Sequence, residues 1–234
     1  MAEAERTLDP ATADGADAES EDLRAADGRV PGWRGMATRQ KLLDHTREML
    51  RASSYRDLKV IDVAREAGTS PATFYQYFPD VEAALLVLAS EAAQDGRALA
   101  DIITAGPWSG AAGYDTSERL VRAFIEFWGD HASVLRVVDQ ATAQGDDRFR
   151  QIRVRLLNEI TTALAQLVRH FTSKGKLPPG LDPMAQAGVV VSMLAHVSDH
   201  QMGFEFWGIK TRDVELSMAR QVYWAITGQK PPPP

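Results

Sequence analysis

Between Ser70 and Tyr77, hydroxyl groups on Ser70, Thr73, Tyr75 and Tyr77 surround one carboxamide, Gln76. Hydroxyls suit phosphate oxygens, and a glutamine amide can pair with both exposed edge atoms of adenine in a major groove. Ala72 and Thr73 are short enough to let a helix backbone approach bases. Phe74 and Phe78 stand four apart, so on a helix they share a face. Taken as the buried face, they turn the polar groups outward. This is the chemistry of recognising a DNA duplex rather than of making or breaking bonds. A helical hairpin sealed in a core would explain the two phenylalanines but not the polar side opposite them.

Such a surface needs a preceding helix and a tight turn to hold it. Val60, Val63, Ala64 and Ala67 follow the i, i+3, i+4, i+7 rule and predict a helix over 60–67. Gly68 ends it as a residue free to take positive φ. Pro71 fits a first helical turn, Pro79 stops that helix, and Asp80 caps the next. Helix, glycine turn and short second helix make a helix-turn-helix. Upstream, Thr38 caps a helix over 38–52 with Leu42, Leu43, Thr46, Met49 and Leu50 on one face. Downstream, helices are expected over 80–104, 117–128, 133–142, 147–172, 183–206 and 213–227, the last ended by Gly228. Hairpin signals are missing, so the fold class is all-α.

Charge and composition narrow the function further. The 234 residues are 44% apolar, enough for a sizeable core, and carry a formal net charge of −6. That balance argues against a nonspecific nucleic-acid binder, but its distribution is uneven. Acids crowd the first thirty residues, whereas Arg34, Arg39, Lys41, Arg47, Arg51, Arg56 and Lys59 form a basic run. With no cysteine, disulfides, thiolate zinc fingers and thiol nucleophiles are excluded, which fits a reducing cytoplasm. Neither a membrane-spanning stretch nor a signal peptide is evident, so no membrane partner is expected. The domain boundaries read as 1–32, an acidic disordered arm; 33–80, the DNA-binding domain; 81–228, the second helical domain; and 229–234, a frayed proline tail.

The block Asp62-Val63-Ala64-Arg65-Glu66-Ala67-Gly68, with Tyr55 before it and Thr73-Phe74-Tyr75-Gln76-Tyr77-Phe78-Pro79 after it, resembles the TetR family of bacterial regulators over about residues 38 to 88. The resemblance implies an N-terminal three-helix DNA-binding domain, a linking fourth helix, and a C-terminal helical domain that binds a ligand and dimerises. Carried over by position, Ser70, Ala72, Thr73 and Gln76 face bases, while Tyr75 and Tyr77 hold phosphates. Thr38 and Lys59 reach the backbone. Two departures stand out. Where the family has Ser/Asn-Lys after Phe-Pro, this chain has Asp80-Val81, which removes a phosphate anchor. Where the family has Thr or Ser before the second helix, Leu58 and Lys59 stand here; Arg34 or Arg39 compensates from a flexible N-terminal arm. Ile61 lies off the buried face and either touches a thymine methyl or packs on the first helix, with packing preferred.

In the C-terminal half, large apolar groups are expected to build a core with an apolar tunnel between helices. Phe124, Phe127, Trp128, Leu135, Leu156, Ile160 and Met193 are its candidate walls, with Asn158 and His196 as polar contacts. Few charges fall on these inward positions, so a lipophilic effector is expected. His196, Asp199 and His200 place two imidazoles one turn apart, but no third ligand is fixed, and neither metal nor cofactor is expected. Gly188, Val189, Ser192, Ala195 and Ser198, with Leu216, Ala219, Val222, Tyr223 and Ile226 on the last helix, are candidates for a homodimer interface. The alternative is that these stripes pack within the chain. No Ser-His-Asp set, phosphate-cradling glycine loop or paired acids points to an enzyme. The resulting expectation is a ligand-responsive repressor that binds a (pseudo)palindromic operator as a dimer and is released by a lipophilic small molecule. A ligand-independent helix-turn-helix module is the alternative.

Overall fold

In the computed structural model, residues 32–233 are described, and they form two compact units that divide between Val87 and Leu88. The boundary expected at residue 80 thus moves into a helix. The acidic arm lies outside the described residues, apart from Gly32.

The first unit opens with α1, Trp33–Ala52. It begins before Thr38, whose hydroxyl donates to the Arg34 carbonyl at 3.1 Å as an interior residue, so Thr38 is not a cap. The inward face is Arg39, Leu42, Leu43, Thr46 and Leu50. A single 3₁₀ turn, Tyr55–Asp57, leads to α2, Val60–Glu66, which buries Val63 and Ala64. Gly68 takes φ +64°. Its N–H donates to the Arg65 carbonyl at 2.9 Å and the Thr69 N–H donates to the Ala64 carbonyl at 2.8 Å, which satisfies the last carbonyls of α2. The third helix, α3, is Pro71–Tyr77 and packs on α1 and α2. Asp80 then caps α4, Val81–Asp95, by accepting from the Ala83 N–H at 2.7 Å.

The second unit holds the end of α4 and six more helices: α5 Arg97–Ala105, α6 Gly110–Ala143, α7 Asp147–Ser173, α8 Pro183–Asp199, α9 Gln201–Phe206 and α10 Thr211–Thr227. The expected helix over 80–104 is interrupted at Gly96, a buried residue where a Cβ would collide with the Leu156 side chain of α7. Conversely, the two helices expected over 117–128 and 133–142 are one. Gly129 sits on the exposed side with open space around it. Its helix penalty is about 1 kcal/mol. Burial of Phe124, Trp128, Val134, Leu135 and Val138 on both sides of it outweighs that cost. The helix expected over 183–206 divides at His200 into α8 and α9. Asp146 and Asp182 cap α7 and α8 through bonds from the Arg148 and Ala185 N–H groups.

The core lies where α6, α7, α8 and α10 meet, with α5 against α6 and α7. Tyr223 is fully enclosed, edge-on to Tyr114 at 5.8 Å, and burial pushes its phenol above the ordinary tyrosine range. The C-terminal segment is not frayed as far as Pro232. Pro231 is buried, Arg220 donates to the Pro232 carbonyl at 2.8 Å, and the Gln229 amide donates to the Trp108 carbonyl at 3.2 Å. The closing turn needs a glycine. Gly228 takes φ +67°, and a Cβ there would run into the Lys176 carbonyl. No helix among the described residues is long and apolar enough to cross a membrane.

Candidate functional site

On α3 the sequence-predicted division of faces holds. Phe74 and Phe78 are 0% and 2% exposed, with ring centroids 5.5 Å apart. Their burial locks a helix of only seven residues, too short to be stable alone. Ala72, Tyr75 and Gln76 stand exposed on the other side, and Thr73 and Tyr77 are half-buried. Ser70 does more than present a hydroxyl. It is the N-cap, its Oγ accepting from the Thr73 N–H at 3.1 Å and lying 3.0 Å from the Thr73 hydroxyl. The start of α3 is therefore ordered by the two short hydroxyl residues that were expected to face bases.

Lys59 is the exposed residue at the N-terminus of α2. With Tyr55, Arg56, Ile61 and Tyr75 it lines an open groove of about 640 Å³, to which Asp80 and Glu82 also contribute. Ile61 does not pack on the first helix as expected: it is 59% exposed and borders this groove. On α2 the inward positions are taken by Val63, Ala64 and Ala67, which leaves Ile61 on the far side of the turn. Asp80, which was set against the family's missing anchor, spends one oxygen on capping α4.

Of the expected backbone-contacting residues, Arg39 takes a different place. Arg39 is not on an arm. It belongs to the inward stripe of α1, is 6% exposed, and holds its guanidinium 5.2 Å over the Phe78 ring. It thus supports the base of α3 by cation–π contact instead of reaching a phosphate. Thr38 is half-buried and bonded within α1. Arg34 is exposed in the first turn of α1, its guanidinium 5.2 Å over the Trp33 ring. Trp33 itself is 76% exposed, a feature the sequence reading missed; an aromatic beside an arginine at a helix start was the available signal.

In the second unit, Phe124, Trp128, Leu135, Leu156 and Ile160 are buried together in the α6 and α7 core, and Phe127 and Met193 are half-buried. Phe124 and Trp128 stack at 5.5 Å with planes 9° apart. Asn158 and His196 do not join them; both are exposed. Asn158 falls two residues from Leu156 and Ile160, about 200° round the helix, so it points away when they point in. On α8, likewise, Leu194 and Ala195 take the inward side and His196 the outer. The His196 and His200 rings lie 4.1 Å apart with their planes tilted by 32°, and among the described residues no group of three or more acidic or histidine side chains is placed to hold a metal.

Two buried tryptophans differ in one respect. Trp108 and Trp128 are each 5% exposed. The Trp108 indole donates to the Ile103 carbonyl at 2.8 Å, whereas the Trp128 Nε1 has no partner among the described residues.

The expected interface stripe on the last helix turns inward instead. Ala219, Val222, Tyr223 and Ile226 are buried within the unit. The outward faces carry other residues. Apart from Val154, every exposed large hydrophobic of this unit lies on α8, α9, α10 or the segment joining them: Met184, Val189, Met202, Phe206, Trp207, Ile209 and Trp224.

A short second helix locked on its predecessor across a glycine turn is a helix-turn-helix, the arrangement of a class of DNA-binding proteins. The profile described as "Bacterial regulatory proteins, tetR family" matches residues 42–86, and "Tetracyclin repressor-like, C-terminal domain" matches residues 99–233. The chain belongs to the TetR family of bacterial transcriptional regulators. Solved structures agree in fold. The fatty acid degradation regulator FadR from Bacillus halodurans is 17% identical over 86% of this chain and 97% of its own, with a TM-score of 0.58. A TetR-family regulator from a Rhodococcus species is 20% identical over 82% and 99%, at 0.61. SmeT, solved as a triclosan complex, is 15% identical over 85% and 100%, at 0.60.

Proposed function

We propose that this regulator is a repressor that binds a (pseudo)palindromic operator as a homodimer and releases it when a lipophilic small molecule enters the second unit. The observation that carries DNA reading is the outward set Ala72, Tyr75 and Gln76 on a helix pinned by Phe74 and Phe78. Gln76 reads bases; Ser70 and Thr73 order the N-terminus of α3 at the groove; Lys59, Tyr75 and Tyr77 hold phosphates. A second copy is supported by the concentration of exposed apolar side chains on α8 to α10. Two-fold symmetry in the protein then asks for two half-sites in the DNA.

The lipophilic effector is supported by the aromatic cluster of Phe124, Phe127 and Trp128 and the scarcity of inward charge. A neighbour of the same fold named for fatty acid degradation, and another solved with triclosan, are in keeping with it. The effector must bind one spacing of the two reading helices better than another, since only differential affinity moves the equilibrium. Footprinting the DNA upstream of the protein's own gene, with and without extract of the cells, tests the reading. Protection of two symmetric half-sites, lost on adding extract, is expected. Absence of any protected site removes the operator reading, and protection indifferent to every extract favours the ligand-independent module.

A further inference from the structure

The unpaired indole of Trp128 carries a statement about the effector's chemistry. Trp108 and Trp128 are equally buried, yet among the described residues only the Trp108 N–H has an acceptor. Among the described residues of the second unit, the other buried polar side-chain atoms without a partner are Thr142 Oγ1, Thr172 Oγ1, Ser198 Oγ and Gln201 Nε2. Each of those belongs to a residue only half-buried. Trp128 is the one enclosed beyond nine-tenths, and it stacks on Phe124 and meets Phe127 edge-on at 6.4 Å. Buried donors are nearly always paired, so an orphan of this kind calls for an explanation. An indole N–H donates and never accepts.

We infer that Trp128 Nε1 is the polar anchor of the effector site, and that the effector is a neutral lipophilic molecule bearing a hydrogen-bond acceptor such as a ketone, ester or amide carbonyl. This rests on the effector-site reading above and specifies its ligand. The two polar contacts expected from the sequence, Asn158 and His196, are exposed, so Trp128 takes the place they were assigned. A carboxylate would lose its hydration among these apolar walls, and the indole alone does not compensate that cost; the imidazole nearest them, His131 at 4.7 Å from the Phe127 ring, already faces the Asp95 carboxylate at 3.4 Å. A pure hydrocarbon would leave the N–H as it is. A carbonyl pairs with it and gains affinity without bringing charge.

Hexanophenone and hexylbenzene differ only in a carbonyl against a methylene, and they serve as probes. The full-length protein is labelled with ¹⁵N at its five tryptophan indoles, and each probe is titrated while the indole signals are followed. Trp128→Phe identifies the signal and removes the donor while keeping an aromatic wall; should it fold poorly, Trp128→Tyr gives the assignment, and the wild-type titration stands without either. Hexanophenone is expected to move the Trp128 indole proton downfield while the Trp108 signal, already paired, stays. Hexylbenzene is expected to bind without that shift. Trp128→Phe should weaken hexanophenone about 2- to 12-fold more than it weakens hexylbenzene, the excess being the loss of one neutral hydrogen bond. If both probes bind but the carbonyl leaves the Trp128 proton unmoved, or the variant weakens both equally, the anchor assignment fails and the apolar site survives. If neither probe raises the melting temperature or perturbs any indole, the apolar effector site falls and the anchor with it.

Discussion

Replacing Gln76 and Lys59 separately by alanine distinguishes reading a sequence from holding a duplex. Gln76 is exposed, two residues beyond the fully buried Phe74, so its truncation leaves α3 seated. A lost bidentate pair at one base costs about 1–3 kcal/mol of discrimination, about 5- to 150-fold for a half-site. In a symmetric dimer two half-sites feel the change, so the factor is compounded. Lys59 is exposed at the start of α2 and bears charge without base-reading geometry. Each lost phosphate contact flattens the slope of log affinity against log salt by about 0.9, or about 1.8 for a dimer. Fluorescence anisotropy on the upstream duplex and on a scrambled duplex, between about 50 and 200 mM salt, reports both quantities. Gln76→Ala should weaken the upstream duplex only, with the salt slope kept. Lys59→Ala should weaken both duplexes and flatten the slope. Equal loss on both duplexes for Gln76→Ala would refute a reading role and make α3 a mere positioning element.

Ser70→Ala removes the cap of α3 and should cost about 0.5–2 kcal/mol in urea unfolding, whereas Ser70→Gly should cost only a few tenths; equal losses would show that the hydroxyl is not what holds the helix start. The Arg148 side chain, bonded to Asp146, holds that carboxyl below the usual aspartate range. Its folded pKa is depressed, so its stabilisation is complete above the unfolded value, about 3.9, and is lost as pH falls through the lower folded value. Asp146→Asn keeps a capping oxygen but drops the charge; the stability gap to wild type, under about 1 kcal/mol for so exposed a pair, should close on acidifying through that window. A gap that widens in acid contradicts the ion pair. Val189→Asp combined with Trp224→Glu, both on outward faces, should yield monomers in sedimentation and abolish tight binding to two-half-site DNA while helicity is kept. A dimer that persists would move the interface elsewhere.

Much of the first unit was legible because its rules act within a turn of chain. Gly68, Pro71 and Asp80 sit where caps and stops must be, and Phe74 and Phe78 are four apart; each prediction needs only neighbours in sequence. The limits of local reading appear where partners are distant. Arg39 looked like an arm residue because it is charged, but its place on the α1 stripe and the ring of Phe78 put it inside. Glycine misled in both directions. Gly129 breaks nothing and faces open space, while Gly96 interrupts a helix where a Cβ would meet the Leu156 side chain.

From its residues alone the chain specified an all-helical protein with a helix-turn-helix and a polar outward face, because periodicity and capping are properties of one element at a time. Which side of α10 is buried, why Asn158 and His196 are left outside, and how Gln229 ties the C-terminal segment to Trp108 were decided by packing. An apolar stripe states only that something covers it. The covering surface comes from helices tens of residues away, and only the folded chain brings the two together.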